Sequence, residues 1–131
     1  MAQSVRPFLM FEDRAEEAMN FYVSLFADGR IDEIKRYGAG QPGKEGSVHL
    51  ARFTVAGQSI MCIDSPARHA FTFTPSVSLF VVCEDETEFA KLTAALAEGG
   101  AWLMPPDNYG FSRRFGWCND RFGVSWQINL P

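Results

Sequence analysis

Apolar and polar positions along this chain recur with two different periods, and their succession predicts the elements. Residues 6–11 (RPFLMF) form a short apolar run and predict a strand. Over 14–26 the apolar residues Ala15, Ala18, Met19, Tyr22, Leu25 and Phe26 fall at helical spacing. Asp13 followed by Glu16 predicts a capping-box start for this helix, and Asp28-Gly29 predicts its end. A weakly alternating strand over 31–37 and a Gly/Pro loop over 38–46 follow. Strands at 47–55 and 59–63 flank the tight turn Ala56-Gly57-Gln58 and so predict a hairpin. The first half, about residues 5–65, therefore reads βαβββ, and a connector leads out of it to residue 74.

The second half, about 75–131, repeats that order. A strand at 76–83 precedes a helix at 85–100 that Asp85 caps, with Glu88 three residues on, and two glycines end. A strand at 101–104 is predicted to stop at Pro105-Pro106, and strands at 111–118 and 124–130 flank a turn over 119–123. A shift of 72 lays Glu12-Asp13 on Glu84-Asp85, Glu16 on Glu88 and Phe8 on Phe80. A shift of 66 lays Gly57 on Gly123, Ser59 on Ser125 and Met61 on Gln127. The fold predicted is α+β: two βαβββ modules whose curved, mixed sheets surround a shared cleft, in one domain spanning residues 1–131.

Composition narrows the classes. With 131 residues, 47% hydrophobic and 14% aromatic, the chain can bury about two-thirds of its unfolded surface without a staple. Net charge is −4, and the only adjacent basic pairs are Lys35-Arg36 and Arg113-Arg114, far apart and in no longer basic run, a pattern that argues against nucleic acid. No apolar run approaches the ~18 residues of a membrane span, and the first residues lack a signal peptide's pattern, so the expected location is cytoplasmic. Cys62, Cys83 and Cys118 are odd in number, far apart and set in apolar runs, as small buried hydrophobes are.

Candidate chemistry is sparse. Gly38-Ala39-Gly40-Gln41-Pro42-Gly43 spells GxGxxG, and Lys44 follows it as in a phosphate loop, but an alternating strand comes next where phosphate binding needs a helix. His49 and His69 have no metal-spaced partner, and Ser76, Ser78 and Ser125 lie in no GxSxG. The acidic stretches at 12–17 and 84–88 lie in helix first turns, where carboxylates cap. Most distinctive is the segment 115–127, with two Trp and two Phe around a turn and Gln127 inside a terminal strand. Alternation puts Gln127 and Ser125 on one face, and Trp126 and Ile128 on the core face.

Several segments together resemble a family. Phe8-Leu9-Met10-Phe11 with Ala15-Glu16-Glu17-Ala18-Met19-Asn20-Phe21-Tyr22, Gly43 to Ser47, Phe53 to Gln58, Phe71-Thr72-Phe73 with Ser76-Val77-Ser78, and Trp117 to Gln127 resemble PhnB-like proteins. These are the demethylubiquinone 3-methyltransferase-like branch of the vicinal oxygen chelate (glyoxalase/bleomycin resistance) superfamily. The resemblance covers nearly the whole chain and implies paired βαβββ modules and a homodimer. Its four metal-ligand positions fall near Arg6 (or Phe8), at Met61, at Ser78 and at Gln127, a set that lacks the family's histidines and carboxylates. A methyl donor site of the usual kind needs a doubly wound sheet that this element order does not supply.

The function expected is therefore binding of an unknown small molecule with no metal and no cofactor. Phe8, Met10, Met61, Ser78, Phe80, Trp117 and Gln127 would contact it. The alternative is a metal-dependent or acid/base lyase, isomerase or dioxygenase of the same superfamily, with His49 as an unconventional ligand.

Overall fold

A computed structural model describes all residues, 1–131. The chain divides into two compact units, Met1–His69 and Ala70–Pro131. Each unit holds four strands and one helix in the same order. The first comprises β1 (Phe8–Phe11), α1 (Ala15–Ser24), β2 (Arg30–Arg36), β3 (Val48–Val55) and β4 (Gln58–Asp64). The second comprises β5 (Leu79–Val82), α2 (Glu86–Ala97), β6 (Ala101–Asp107), β7 (Arg114–Asn119) and β8 (Ser125–Leu130).

The sheets are mixed and share one topology, β1-β4-β3-β2 and β5-β8-β7-β6. In each, the first strand pairs parallel to the last and the other pairings are antiparallel. The two sequence offsets meet in this register: Phe8 pairs with Met61, and Phe80 with Gln127. Each is the pair that the shifts of 72 and 66 lay on the other, so the doubling visible in the letters is a doubling of geometry.

Each helix covers one face of its own sheet. In α1 the buried side chains are Ala15, Ala18, Met19 and Tyr22, and in α2 they are Phe89, Leu92, Thr93 and Leu96; both sets follow i, i+3, i+4, i+7. Tyr22 stacks on Phe53 of β3 at 6.1 Å. Trp126 of β8, 1% exposed, is the largest buried side chain of the second unit, and Ile128 and Leu130 join it at alternate positions. Burial of each large side chain contributes ~1.5–3 kcal/mol.

The two helix starts differ. Asp85 caps α2 as its sequence predicts, accepting from the Glu88 N–H at 2.8 Å, while the Glu88 carboxylate accepts from the Glu84 N–H at 3.1 Å. Asp13 does not cap α1: it sits at φ 66°, and Arg14 is the N-cap with no side-chain bond. Asp64 does the capping instead. It is 2% exposed at the end of β4, opposite Phe11, and its Oδ1 accepts the Ala15 N–H at 2.9 Å. Its Oδ2 accepts the Val48 N–H at 2.9 Å, so one carboxylate ties the helix start to the start of β3. Glu16, freed from capping, makes a two-pronged pair with Arg36 at 2.6 and 2.7 Å.

Further boundaries depart from expectation, among them that of β5, which spans only Leu79–Val82 of the expected 76–83. α1 ends at Ser24, and Asp28 caps the β3–β4 turn rather than the helix, accepting from the Ala56 and Gly57 N–H groups at 2.7 and 2.8 Å. Both turn residues have positive φ, 47° and 76°, the type I′ geometry that a two-residue hairpin favours and that suits Gly57. β6 runs through Pro105-Pro106 to Asp107. It is an edge strand, where a missing N–H costs no ladder bond, and its register slips between Trp102 and Asp107. β7 begins only at Arg114, because residues 111–113 lie in bends and Phe111 stacks on Tyr109.

Candidate functional site

Residues paired across a ladder point to the same side of the sheet, so the register fixes which side chains meet. In the second unit Phe80 pairs with Gln127, Gln127 with Trp117, and Trp117 with Met104. These four stand in one row across the sheet, on the face opposite Trp126, Ile128 and Leu130 and hence opposite α2. Phe80 is 56% exposed and Val82, two residues on along the same face, 60%. Trp117 and Gln127 are half-buried.

A hydrogen-bond chain crosses this face. The Trp117 indole N–H donates to Ser125 Oγ at 2.8 Å. Ser125 Oγ and Ser78 Oγ lie 2.6 Å apart, and Gln127 Nε2 donates to Ser78 Oγ at 3.2 Å. Ser125 is 1% exposed, whereas Ser78 is half-buried. Beside the chain, the buried Asn119 Oδ1, on the residue paired with Ser125, has no hydrogen-bond partner. Aromatic rings continue the surface. Phe115 lies 6.4 Å from Phe80, 5.0 Å from Phe111 and 6.1 Å from Tyr109, the last two edge-on.

Of the seven residues expected at a site, the structure thus joins Ser78, Phe80, Trp117 and Gln127 in one unit. Phe8, Met10 and Met61 lie in the other unit, where Phe8 pairs with Met61 and Met10 with Ile63, an apolar row on the face opposite α1. Ser125 was missing from the expected set, though its parity with Gln127 signalled it. Asn119 and the rings of Tyr109, Phe111 and Phe115 were missing as well; strand parity with Trp117 marks Phe115 and Asn119, whereas no local pattern marks Tyr109 and Phe111.

The remaining candidates do not form catalytic groupings. His49 stacks on Tyr37 with ring centroids 4.6 Å apart, and His69 Nε2 is hydrogen-bonded to Ser65 Oγ at 2.8 Å. No three His, Cys, Asp or Glu side chains come together in a metal-binding group. Burial pushes the thiols of Cys62 and Cys118 up to about 12 and that of Cys83 to about 11, with nearby carboxylates adding to the effect, so none is a ready nucleophile. The glycine-rich loop joins β2 to β3, and its Gly38 N–H is already taken by Gln41 Oε1 at 2.7 Å.

The metal positions that the resemblance assigns are a poor fit. Ser78 and Gln127 offer a hydroxyl and a neutral amide bonded to each other, and Met61 a thioether, where such divalent ions take imidazole and carboxylate.

The family model described as 3-demethylubiquinone-9 3-methyltransferase matches residues 3–129. A PhnB protein from Bacillus cereus carrying that same description is 55% identical, with a TM-score of 0.95 over 98% of this chain and 100% of that one. A glyoxylase/bleomycin resistance protein/dioxygenase domain from Frankia sp. EAN1pec is 16% identical, with a TM-score of 0.68 over 99% and 98% of the two chains. TnmS3, an antibiotic binding protein from Streptomyces sp. CB03234, is 19% identical, with a TM-score of 0.57 over 100% and 98%. These last two share the fold. No curated protein matches the chain.

Proposed function

The chain belongs to the 3-demethylubiquinone-9 3-methyltransferase family, the PhnB-like branch of the glyoxalase/bleomycin resistance superfamily, and from that premise we propose that it works by binding a small organic molecule without a metal. The observation that carries this reading is the face of the β5-β8-β7-β6 sheet opposite α2. There the Trp117–Ser125–Ser78–Gln127 chain stands among exposed aromatic and aliphatic side chains. Apolar walls with a few convergent polar groups are what small-molecule sites use. That TnmS3 is an antibiotic binding protein is consistent with this use of the fold.

The methyl transfer in the family's name is not part of this proposal. Both sheets are mixed, and no glycine-rich strand-to-helix turn offers a methyl donor the usual cradle. The metal-free state is tested by elemental analysis of the purified protein: zinc, nickel or iron near one per chain would overturn it. The binding site is tested by thermal-shift measurements with planar aromatic compounds on the wild type and on Trp117→Ala. Stabilisation of the wild type alone is expected; equal stabilisation of both would place the site elsewhere.

Two further properties belong to the proposal. The protein forms a homodimer, which would cover exposed apolar residues such as Phe8, Phe80, Val82 and Phe111; sedimentation as a monomer at micromolar concentration counts against it. It works in a reducing compartment, in keeping with three free, buried thiols.

A further inference from the structure

Resting on that binding site, we propose the class of its ligand: an uncharged aromatic molecule whose polar edge places a carbonyl beside an N–H or O–H, as an aryl amide does. The count of hydrogens in the network carries this. An indole N–H only donates, so Ser125 Oγ accepts from Trp117. A 2.6 Å contact between two hydroxyls holds one hydrogen. Ser125 is buried, so its hydrogen goes to Ser78, which also accepts from Gln127 Nε2. The hydrogen of Ser78 itself is then left for a group outside the chain. Gln127, having turned its Nε2 to Ser78, has its Oε1 free of any bond within the protein. One donor and one acceptor therefore stand side by side, the complement of an amide edge.

Charge and shape exclude the other classes. No Lys or Arg lies in this row. Arg114 faces the other way, its guanidinium 5.4 Å from the centroid of the Phe89 ring of α2. An anion held against Gln127 would lose water without gaining a counter-charge. A molecule with no polar edge would leave the Ser78 hydroxyl and the Gln127 carbonyl unpaired. The rings of Phe80 and Trp117, neighbours of Gln127 on either side, suit a planar aromatic body.

Three probes with one ring system separate these terms: 1-naphthamide, 1-naphthoate and 1-methylnaphthalene, titrated into the full-length protein at neutral pH and followed by indole fluorescence and calorimetry. The expected result is that 1-naphthamide binds about tenfold or more tighter than either of the others, the effect of one or two net hydrogen bonds. Gln127→Met and Ser78→Ala should each remove that preference, with 1-methylnaphthalene binding no more weakly than to the wild type because fewer polar groups are left unpaired, and with urea denaturation showing both variants folded. If 1-naphthoate binds as tightly as the amide, or both variants keep the preference, the ligand class is wrong although the site stands. If none of the three binds, the binding reading itself fails.

Discussion

Replacing Asp64 should reveal how the first unit is held together. Its carboxylate accepts two buried backbone N–H groups, from Ala15 and Val48, each at 2.9 Å, and it is 2% exposed. Hydrogen bonds to a charged acceptor are worth ~1.5–3 kcal/mol each, and their removal strands two buried donors. Asp64→Ala is therefore expected to cost about 3–5 kcal/mol, a large part of the ~5–15 kcal/mol that holds a typical domain. Asp64→Asn keeps one acceptor oxygen and should lose about 2–3 kcal/mol. Urea denaturation would register the Ala change as a fall of about 2 M in midpoint at an m of ~2 kcal/mol/M. Hydrogen exchange should quicken first at the Ala15 and Val48 amides. The contrast is Asp13, the residue at the position where Asp85 caps α2. With φ at 66° and no role as a cap, Asp13→Gly should be neutral or stabilise by up to ~1 kcal/mol. A loss below ~1 kcal/mol for Asp64→Ala, or a larger loss at Asp13, would refute the assignment.

Other outcomes follow from the same geometry. Trp126→Ala should cost ~3–5 kcal/mol, since it empties the core under α2 and takes the indole from Asp120 Oδ2, 2.9 Å away; Gln127→Ala should stay within ~1 kcal/mol, and the reverse order in denaturation midpoints would mean the two faces of β8 are exchanged. Stability should fall as pH rises above about 9 toward 12. Burial holds the folded thiols of Cys62, Cys83 and Cys118 above the ordinary value of 9.0, so the unfolded chain releases its protons first; urea midpoints unchanged between pH 8 and 10.5 would contradict this. Asp28 titrates the opposite way: the Gly57 and Ala56 N–H groups hold its carboxyl low, so its contribution is present above pH 3.8 and is lost on acidification below it. Asp28→Asn should flatten that acid limb of the stability curve.

How far the sequence discloses the site depends on the range of each contact. Parity along β8 separates Trp126 from Gln127 and puts Ser125 with Gln127, because strand side chains alternate and one face must be apolar to bury. The bond between Ser78 and Ser125, 47 residues apart, is set by the parallel pairing of β5 with β8. Phe111 reaches Phe115 from a bend that no periodicity marks.

The chain's own pattern determined the two βαβββ modules, the helical faces of α1 and α2, the Asp85 cap, and the equivalence of Phe8 and Met61 with Phe80 and Gln127. All of these rest on local spacing or on internal repetition. Tertiary structure alone decided that Asp64 and not Asp13 caps α1, because the donor and acceptor lie 49 residues apart and meet only when β1 aligns with β4. It decided that Pro105-Pro106 continues a strand, because a proline is tolerated or not according to whether its strand is an edge. And it decided that a tryptophan, two serines and a glutamine form one chain, since hydrogen bonds need a few ångströms of proximity that only the packed sheet provides.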